Sequence, residues 1–152
     1  MNQSVTIRDA ETPATRRPRV LVVEDHPVNR QTLRLMLGER VDLHEAVNGQ
    51  DGVAAADAWD FDLVLMDVDM PVMDGLIAAR TIHAHEAVSK RAPAHIILMT
   101  CATATSPESD VLSSGASGYL ARPITEDGLF AALATAVGSG ADDSLTLIGD
   151  AA

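Results

Sequence analysis

A chain of 152 residues has room for one domain with a real core and is short for two of ordinary size. Its 22 acidic and 11 basic residues give a formal charge of -11, a field that repels nucleic acid and disfavours direct DNA or RNA binding. The single cysteine, Cys101, excludes an internal disulfide and fits a reducing compartment, and no apolar run approaches the length of a membrane span.

Residues 1–18 mix Thr, Arg, Pro and acids and lack the apolar centre of a secretory signal, so they read as a flexible lead-in to a cytoplasmic protein. Arg16, Arg17 and Arg19 have no interleaved aromatics and read as a solvated cluster. The fold is expected to begin at Arg19. Val20 to Val23 is an apolar strand ending on Glu24-Asp25, and Pro27 suits the first turn of a helix that stops at Gly38. Val41 to Val47 is a second strand, and Asn48-Gly49 turns into an alanine-rich helix to about Ala58. After the strand Asp62 to Met66, Asp74 is a good N-cap for a helix from Gly75 to about Glu86. Ala94 to Met99 is the fourth strand, followed by Thr100. Ser106-Pro107-Glu108 opens a helix that Gly115 closes. Ser117 to Ala121 is the fifth strand, and Thr125-Glu126-Asp127 caps a final helix to Gly138. The acidic tail 139–152 carries one apolar patch, Leu145 to Ile148, that reads as a frayed terminus, with docking on a partner or on the domain itself as the alternative.

Five strands alternating with five helices imply an α/β, doubly wound parallel sheet, because parallel neighbours need right-handed helical crossovers. The stretch FDLVLMDVDMPVMDG, Phe61 to Gly75, organises the rest. Leu63 to Met66 is too short for a helix and too continuously apolar for a half-exposed strand, so it is buried on both faces. Asp67 then stands at its carboxyl end, where open α/β sheets bind ligands. Glu24 and Asp25 end another strand of the same parallel sheet. Carboxylates gathered at one rim suit a hard cation.

The acidic pair in LVVEDHP, the LMDVDMPVMDG segment, the Thr of ILMT and the ending GYLARPI stand in this order at four strand ends. Together they make the chain resemble the receiver domain of two-component response regulators over roughly residues 19–138. The resemblance implies a flavodoxin-like (βα)5 fold of strand order 2-1-3-4-5 and phosphorylation of Asp67 from a phosphohistidine donor. It also implies Mg2+ held by Asp25 and Asp67, by Glu24 through water and by the backbone carbonyl of Asp69. Thr100 would bind a phosphoryl oxygen, and Tyr119 matches the aromatic switch residue. The partners implied are a sensor histidine kinase or histidine phosphotransfer protein and a downstream protein target, since the tail after Gly138 is too short for an output module. Asn29 after the acidic pair, in LVVEDHPVNRQ, is similar to the receivers of hybrid kinases and phosphorelays. The output face expected from the resemblance is made by the helix ending at Gly115, the fifth strand and the final helix.

The departure is Arg122, where the family has lysine. Guanidinium is a planar fork that prefers bidentate contacts, so the exchange is not conservative at a tight site. Arg122 is expected to neutralise a phosphoryl oxygen or to clamp Asp67. Lys90, the one lysine, lies at the opposite pole and cannot stand in. Two rival readings follow: an interaction module that takes no phosphate, suggested by Arg122, and a haloacid-dehalogenase-like phosphohydrolase, suggested by Asp67-Val68-Asp69. Cys101 reads as a small buried residue, Trp59 as packing under the loop before the central strand, and His26 as exposed at a helix start. His83 and His85 point to different helix faces and make no metal motif.

Overall fold

The computed structural model describes residues 17–70, 73–100, 113–138 and 146–147. In chain order the elements are β1 (Arg19–Val23), α1 (Pro27–Leu37), a 3-10 turn (Gly38–Arg40), β2 (Asp42–Ala46), α2 (Gly49–Ala58) and β3 (Leu63–Asp67). They continue with α3 (Gly75–Ser89), β4 (His95–Thr100), β5 (Gly118–Ala121), α4 (Glu126–Gly138) and β6 (Thr146–Leu147). All neighbouring strands pair parallel, in the order β2-β1-β3-β4-β5-β6. The first five therefore follow the flavodoxin-like order 2-1-3-4-5.

Strand alternation divides the core into two layers. Leu21, Val23, Val64, Met66, Ile96 and Leu98 pack against Val53 and Ala56 of α2 and Ala78, Ala79 and Ile82 of α3. Val20, Val22, Leu63, Leu65, Ile97 and Met99 meet Leu33 and Leu37 of α1 and Leu129 and Ala132 of α4 on the other face. Every residue of β3 is buried, so the strand that carries Asp67 is covered on both faces.

Local signals set the boundaries. Gly38 closes α1 at φ +60°, a conformation that favours glycine. Asn48 caps α2 by accepting from the Asp51 N–H at 2.7 Å, and Asp74 caps α3 by accepting from the Ile77 N–H at 3.0 Å. Thr125 caps α4 through its hydroxyl to the Gly128 N–H, 3.1 Å. α3 runs three residues past the expected Glu86, because Lys90 takes the left-handed conformation and its N–H closes on Ala87 and Glu86 carbonyls. Gly115, at φ +84°, follows helical Ser113 and Ser114 as the expected stop; the expected start of that helix at Ser106-Pro107-Glu108 lies outside the described residues, as do Cys101, Arg16 and Leu145.

Several expectations are corrected. Arg19 is not solvated: it opens β1, its N–H donates to Asp62 at 2.8 Å, and its guanidinium lies 5.2 Å from the Trp59 ring centroid. Arg17 and Pro18 are also engaged, through Glu39 and Asp42. Trp59 does not pack beneath the loop; it stays 49% exposed beside Arg19 and His44, while Phe61 takes the buried place. The tail contributes β6, so residues 146–147 extend the sheet where a frayed end was expected.

Candidate functional site

The parallel registers put four strand ends at one level: Val23 lies beside Met66, Asp67 beside Met99, and Thr100 beside Ala121. The residues that leave those ends are Glu24-Asp25, Asp67, Thr100 and Arg122. Glu24, Asp67 and Thr100 are buried at 1%, 4% and 6% exposure, and Asp25 is more open. The rim can therefore receive a ligand through Asp25.

One carboxylate oxygen each from Glu24, Asp25 and Asp67 lies within 4.8 Å of the others. The donors are all anionic oxygens, the set that Mg2+ and Ca2+ take, and this fits the implied Mg2+. Arg122 adds the countercharge: its Nη2 lies 2.8 Å from Glu24 Oε1 and 3.0 Å from Asp67 Oδ1. One guanidinium nitrogen thus bridges two of the three carboxylates.

The remaining contacts are backbone and helix donors. Asp69 is exposed and donates its N–H to Asp67 Oδ1 at 3.1 Å. Glu24 Oε2 accepts from the His26 N–H at 3.2 Å and from Asn29 Nδ2 at 3.4 Å. Burial would raise the Glu24 carboxyl, but the Arg122 bond and charge, together with the His26 N–H and Asp67, hold Glu24 below its ordinary value. Burial and the neighbouring Glu24 charge push Asp67 up to about 6, against the pull of Asp69 and Arg122. Burial alone would lower Arg122; its two carboxylates raise it instead.

Two contributors escaped the sequence reading. Arg30 Nη1 donates to the main-chain oxygens of Glu24 at 3.0 Å and Asp25 at 3.3 Å, fixing the bend after β1. Its signal was a base one turn into the helix that follows the acidic pair. His26 is exposed as expected, and it is also the cap of α1, its Nδ1 accepting from the Val28 N–H at 3.3 Å. Gly75 is a requirement of close approach: its N–H bonds Val68 O at 3.0 Å, and a Cβ there would run into the main-chain oxygen of Asp67. Tyr119 sits half-buried on β5 against the α3-side core, three residues before Arg122. Lys90 lies at the far pole, as expected.

Residues 20–134 match the model of the response regulator receiver domain. The chain belongs to the receiver family. Among curated receiver relatives it is 39% identical over 116 residues to the sensor protein GacS of Pseudomonas syringae, covering 74% of this chain and 13% of that protein. It is 35% identical over 119 residues to hybrid signal transduction histidine kinase G of Dictyostelium discoideum, covering 76% and 3%. The chain thus spans a small part of these relatives. A solved receiver domain of a Pseudomonas aeruginosa sensor histidine kinase, with magnesium in its active-site cleft, superposes with TM-score 0.70 at 29% identity, covering 80% of this chain and 98% of that one. The receiver domain of a Saccharomyces cerevisiae response regulator, crystallised with a histidine phosphotransfer protein, gives TM-score 0.71 at 29% identity, covering 78% and 87%. Membership in this family takes the place of the phosphohydrolase reading of Asp67-Val68-Asp69. No helix among the described residues is long and apolar enough to cross a membrane.

Proposed function

We propose that the folded unit 19–138 accepts a phosphoryl group on Asp67 from a phosphohistidine donor and signals, or relays the group, through protein partners. The observation that carries this reading is the buried Asp67 carboxylate at the end of the central strand, within 4.8 Å of the Glu24 and Asp25 oxygens. The magnesium-bound and phosphotransfer-bound receivers support the metal and the donor class.

In the proposed step an Asp67 oxygen attacks phosphorus, the P–N bond to the donor imidazole breaks, and the leaving nitrogen takes a proton from solvent. Asp25, Asp67 and the Asp69 carbonyl, with Glu24 through water, would hold magnesium, which would supply charge neutralisation at the transferring oxygens. Arg122 leaves its Glu24–Asp67 bridge to meet a phosphoryl oxygen. Thr100 offers its hydroxyl to another, and Tyr119 responds to that movement on β5.

Intact-mass spectrometry after incubation with acetyl phosphate and Mg2+ tests this. One phosphoryl addition, lost in Asp67→Asn and with chelator, is expected. A second reading, an interaction module that takes no phosphate, is favoured by one observation: Arg122 already neutralises both Glu24 and Asp67. No addition to the chain, from either acetyl phosphate or a phosphorylated histidine phosphotransfer protein, would select it.

A further inference from the structure

Glu24 and Asp67 are fixed at the rim through their carboxylates, by Arg122, by the His26 and Asp69 N–H groups and by Asn29. Asp25 is held another way. Its carboxylate is the exposed member of the three, and the grip is on its main chain. Arg30 Nη1 donates both to the Glu24 carbonyl at 3.0 Å and to the Asp25 carbonyl at 3.3 Å. These carbonyls belong to the two rigid peptide planes that flank the Asp25 Cα, so one nitrogen restrains the two soft backbone dihedrals of that residue.

Arg30 is itself braced by β2. Its Nε lies 3.6 Å from Glu45 Oε1, and Arg34 grips the same carboxylate as a fork, Nε to Oε2 at 2.7 Å and Nη2 to Oε1 at 2.8 Å. The Arg34 bonds prevail over partial burial and, with the Arg34 and Arg30 charges, hold Glu45 below its ordinary value, so the brace is an anion. Glu45 stands beside Val22 in the β1–β2 register, and the Glu24 N–H bonds Ala46 O at 3.1 Å. Strand pairing and the guanidinium together close a loop from β2 through α1 to the acidic turn.

We propose that Arg30, braced by Glu45, is a positioning residue for the divalent cation: by restraining both peptide planes around Asp25 it presets the spacing of the three rim oxygens and biases the rim toward Mg2+ over Ca2+. Groups that orient metal ligands without touching the metal set much of its affinity. Mg2+ demands near-ideal octahedral geometry at short distances, whereas Ca2+ accepts a looser and more variable shell, so fixing the ligand backbone matters more for the smaller ion. The inference deepens the cation-binding reading of the rim and rests on it.

Titration of the full chain with Mg2+ alone and with Ca2+ alone, followed by the amide NMR signals of residues 24–26 and 67–69, tests it. Arg30→Met keeps the apolar stem and deletes the fork. On charge grounds, deleting a cation beside an anionic rim tightens the binding of any divalent ion. The positioning role has the opposite sign: Mg2+ affinity is expected to fall about tenfold and Ca2+ affinity by no more than about threefold. In the metal-free chain the Glu24 and His26 amides are expected to exchange faster, with those of β3 unchanged. Glu45→Gln loosens the same brace and is expected to weaken Mg2+ about threefold alone, with no further effect when added to Arg30→Met. If Arg30→Met does not fold, Glu45→Gln carries the test through the same ratio of Mg2+ to Ca2+ affinity. Unchanged or tighter Mg2+ binding by Arg30→Met would overturn the proposal, as would equal losses of the two ions in both variants. Absence of Mg2+ binding by the unaltered chain would overturn the cation reading of the rim itself, and this inference with it.

Discussion

Arg122 and Asp67 form an ion pair of 3.0 Å at the mouth of the acidic rim, and the same guanidinium nitrogen lies 2.8 Å from Glu24. The pair is one-sided: Nη2 carries both contacts, so the planar fork is not used against either carboxylate in bidentate form. A cation placed there competes with a metal for the same oxygens. Arg122→Lys, whose compact ammonium reaches one carboxylate more readily than two, should raise Mg2+ affinity about three- to tenfold. Calorimetric titration with Mg2+ measures this. Equal or weaker binding by the variant would show that the bridge does not compete. Phosphoryl incorporation from acetyl phosphate should stay intact or quicken in the same variant.

The protonation of Asp67 sets a pH dependence with a definite sign. Its folded value is raised from 3.8 to about 6, so the folded state holds the proton more tightly than the unfolded chain. The ionised carboxylate therefore costs stability, and that cost grows as pH rises from about 4 through about 6. Asp67→Asn removes the cost together with the Arg122 ion pair, for a net gain of about 1–2 kcal/mol at pH 7.5. The gain should shrink toward zero at about pH 3, below the unfolded value of 3.8, where Asp67 is protonated in both states. Urea unfolding of both proteins at the two pH values checks it; a gain of equal size at both would assign the effect to packing. Glu24 works in the opposite sense, since its lowered value adds stability that is lost as the medium becomes acid.

The parts legible in the sequence are those where one local rule decides. Asp74 and Gly38 were readable because a cap or a left-handed stop needs a particular residue type, and Asn48 was readable as a turn though not as the cap it makes. Leu63 to Met66 was readable because a continuous apolar run before an acid has few other meanings. The rim itself followed from strand direction, since parallel strands deliver their ends to one side. Arg30 was not legible, because its work is to hold two main-chain oxygens and no side-chain pattern records that. Arg19 and Trp59 were misplaced for a related reason: their cation–aromatic contact joins residues from two strand entrances that only the sheet brings together. The apolar patch around β6 was visible, with docking on the domain as an alternative, but its strand was not, because two residues are too few to show a period of two.

Gly75 ties the start of α3 to the strand that carries Asp67. An added methyl group would collide with the Asp67 carbonyl oxygen and stand 2.9 Å from its carbon and from the Val68 Cα, all backbone atoms that cannot rotate away. Gly75→Ala should therefore destabilise the fold by roughly 2–4 kcal/mol, despite the higher helix propensity of alanine. Because the collision is with the residue that bears the carboxylate, phosphoryl incorporation should fall even at temperatures where the variant is folded. Thermal unfolding beside the mass assay separates the two effects. Normal incorporation by a folded variant would show that the loop can shift without moving Asp67.

Glu86 offers the matching control at the opposite pole. It is 5% exposed on α3; its Oε1 lies 2.8 Å from His83 Nδ1, and its Oε2 accepts from the Ala94 N–H at 2.9 Å where the chain enters β4. Glu86→Ala removes the acceptor of both His83 and the part-buried Ala94 N–H, which should cost roughly 1–2 kcal/mol. Glu86→Gln keeps a carbonyl oxygen for Ala94 and should recover about half of that loss. Neither change should alter phosphoryl incorporation, since β4 carries the chain about 20 Å from this contact to Thr100. Denaturant midpoints and the mass assay, run on both variants, give the test: an incorporation defect in folded Glu86→Gln would mean that the far pole is coupled to Asp67 through α3 or β4.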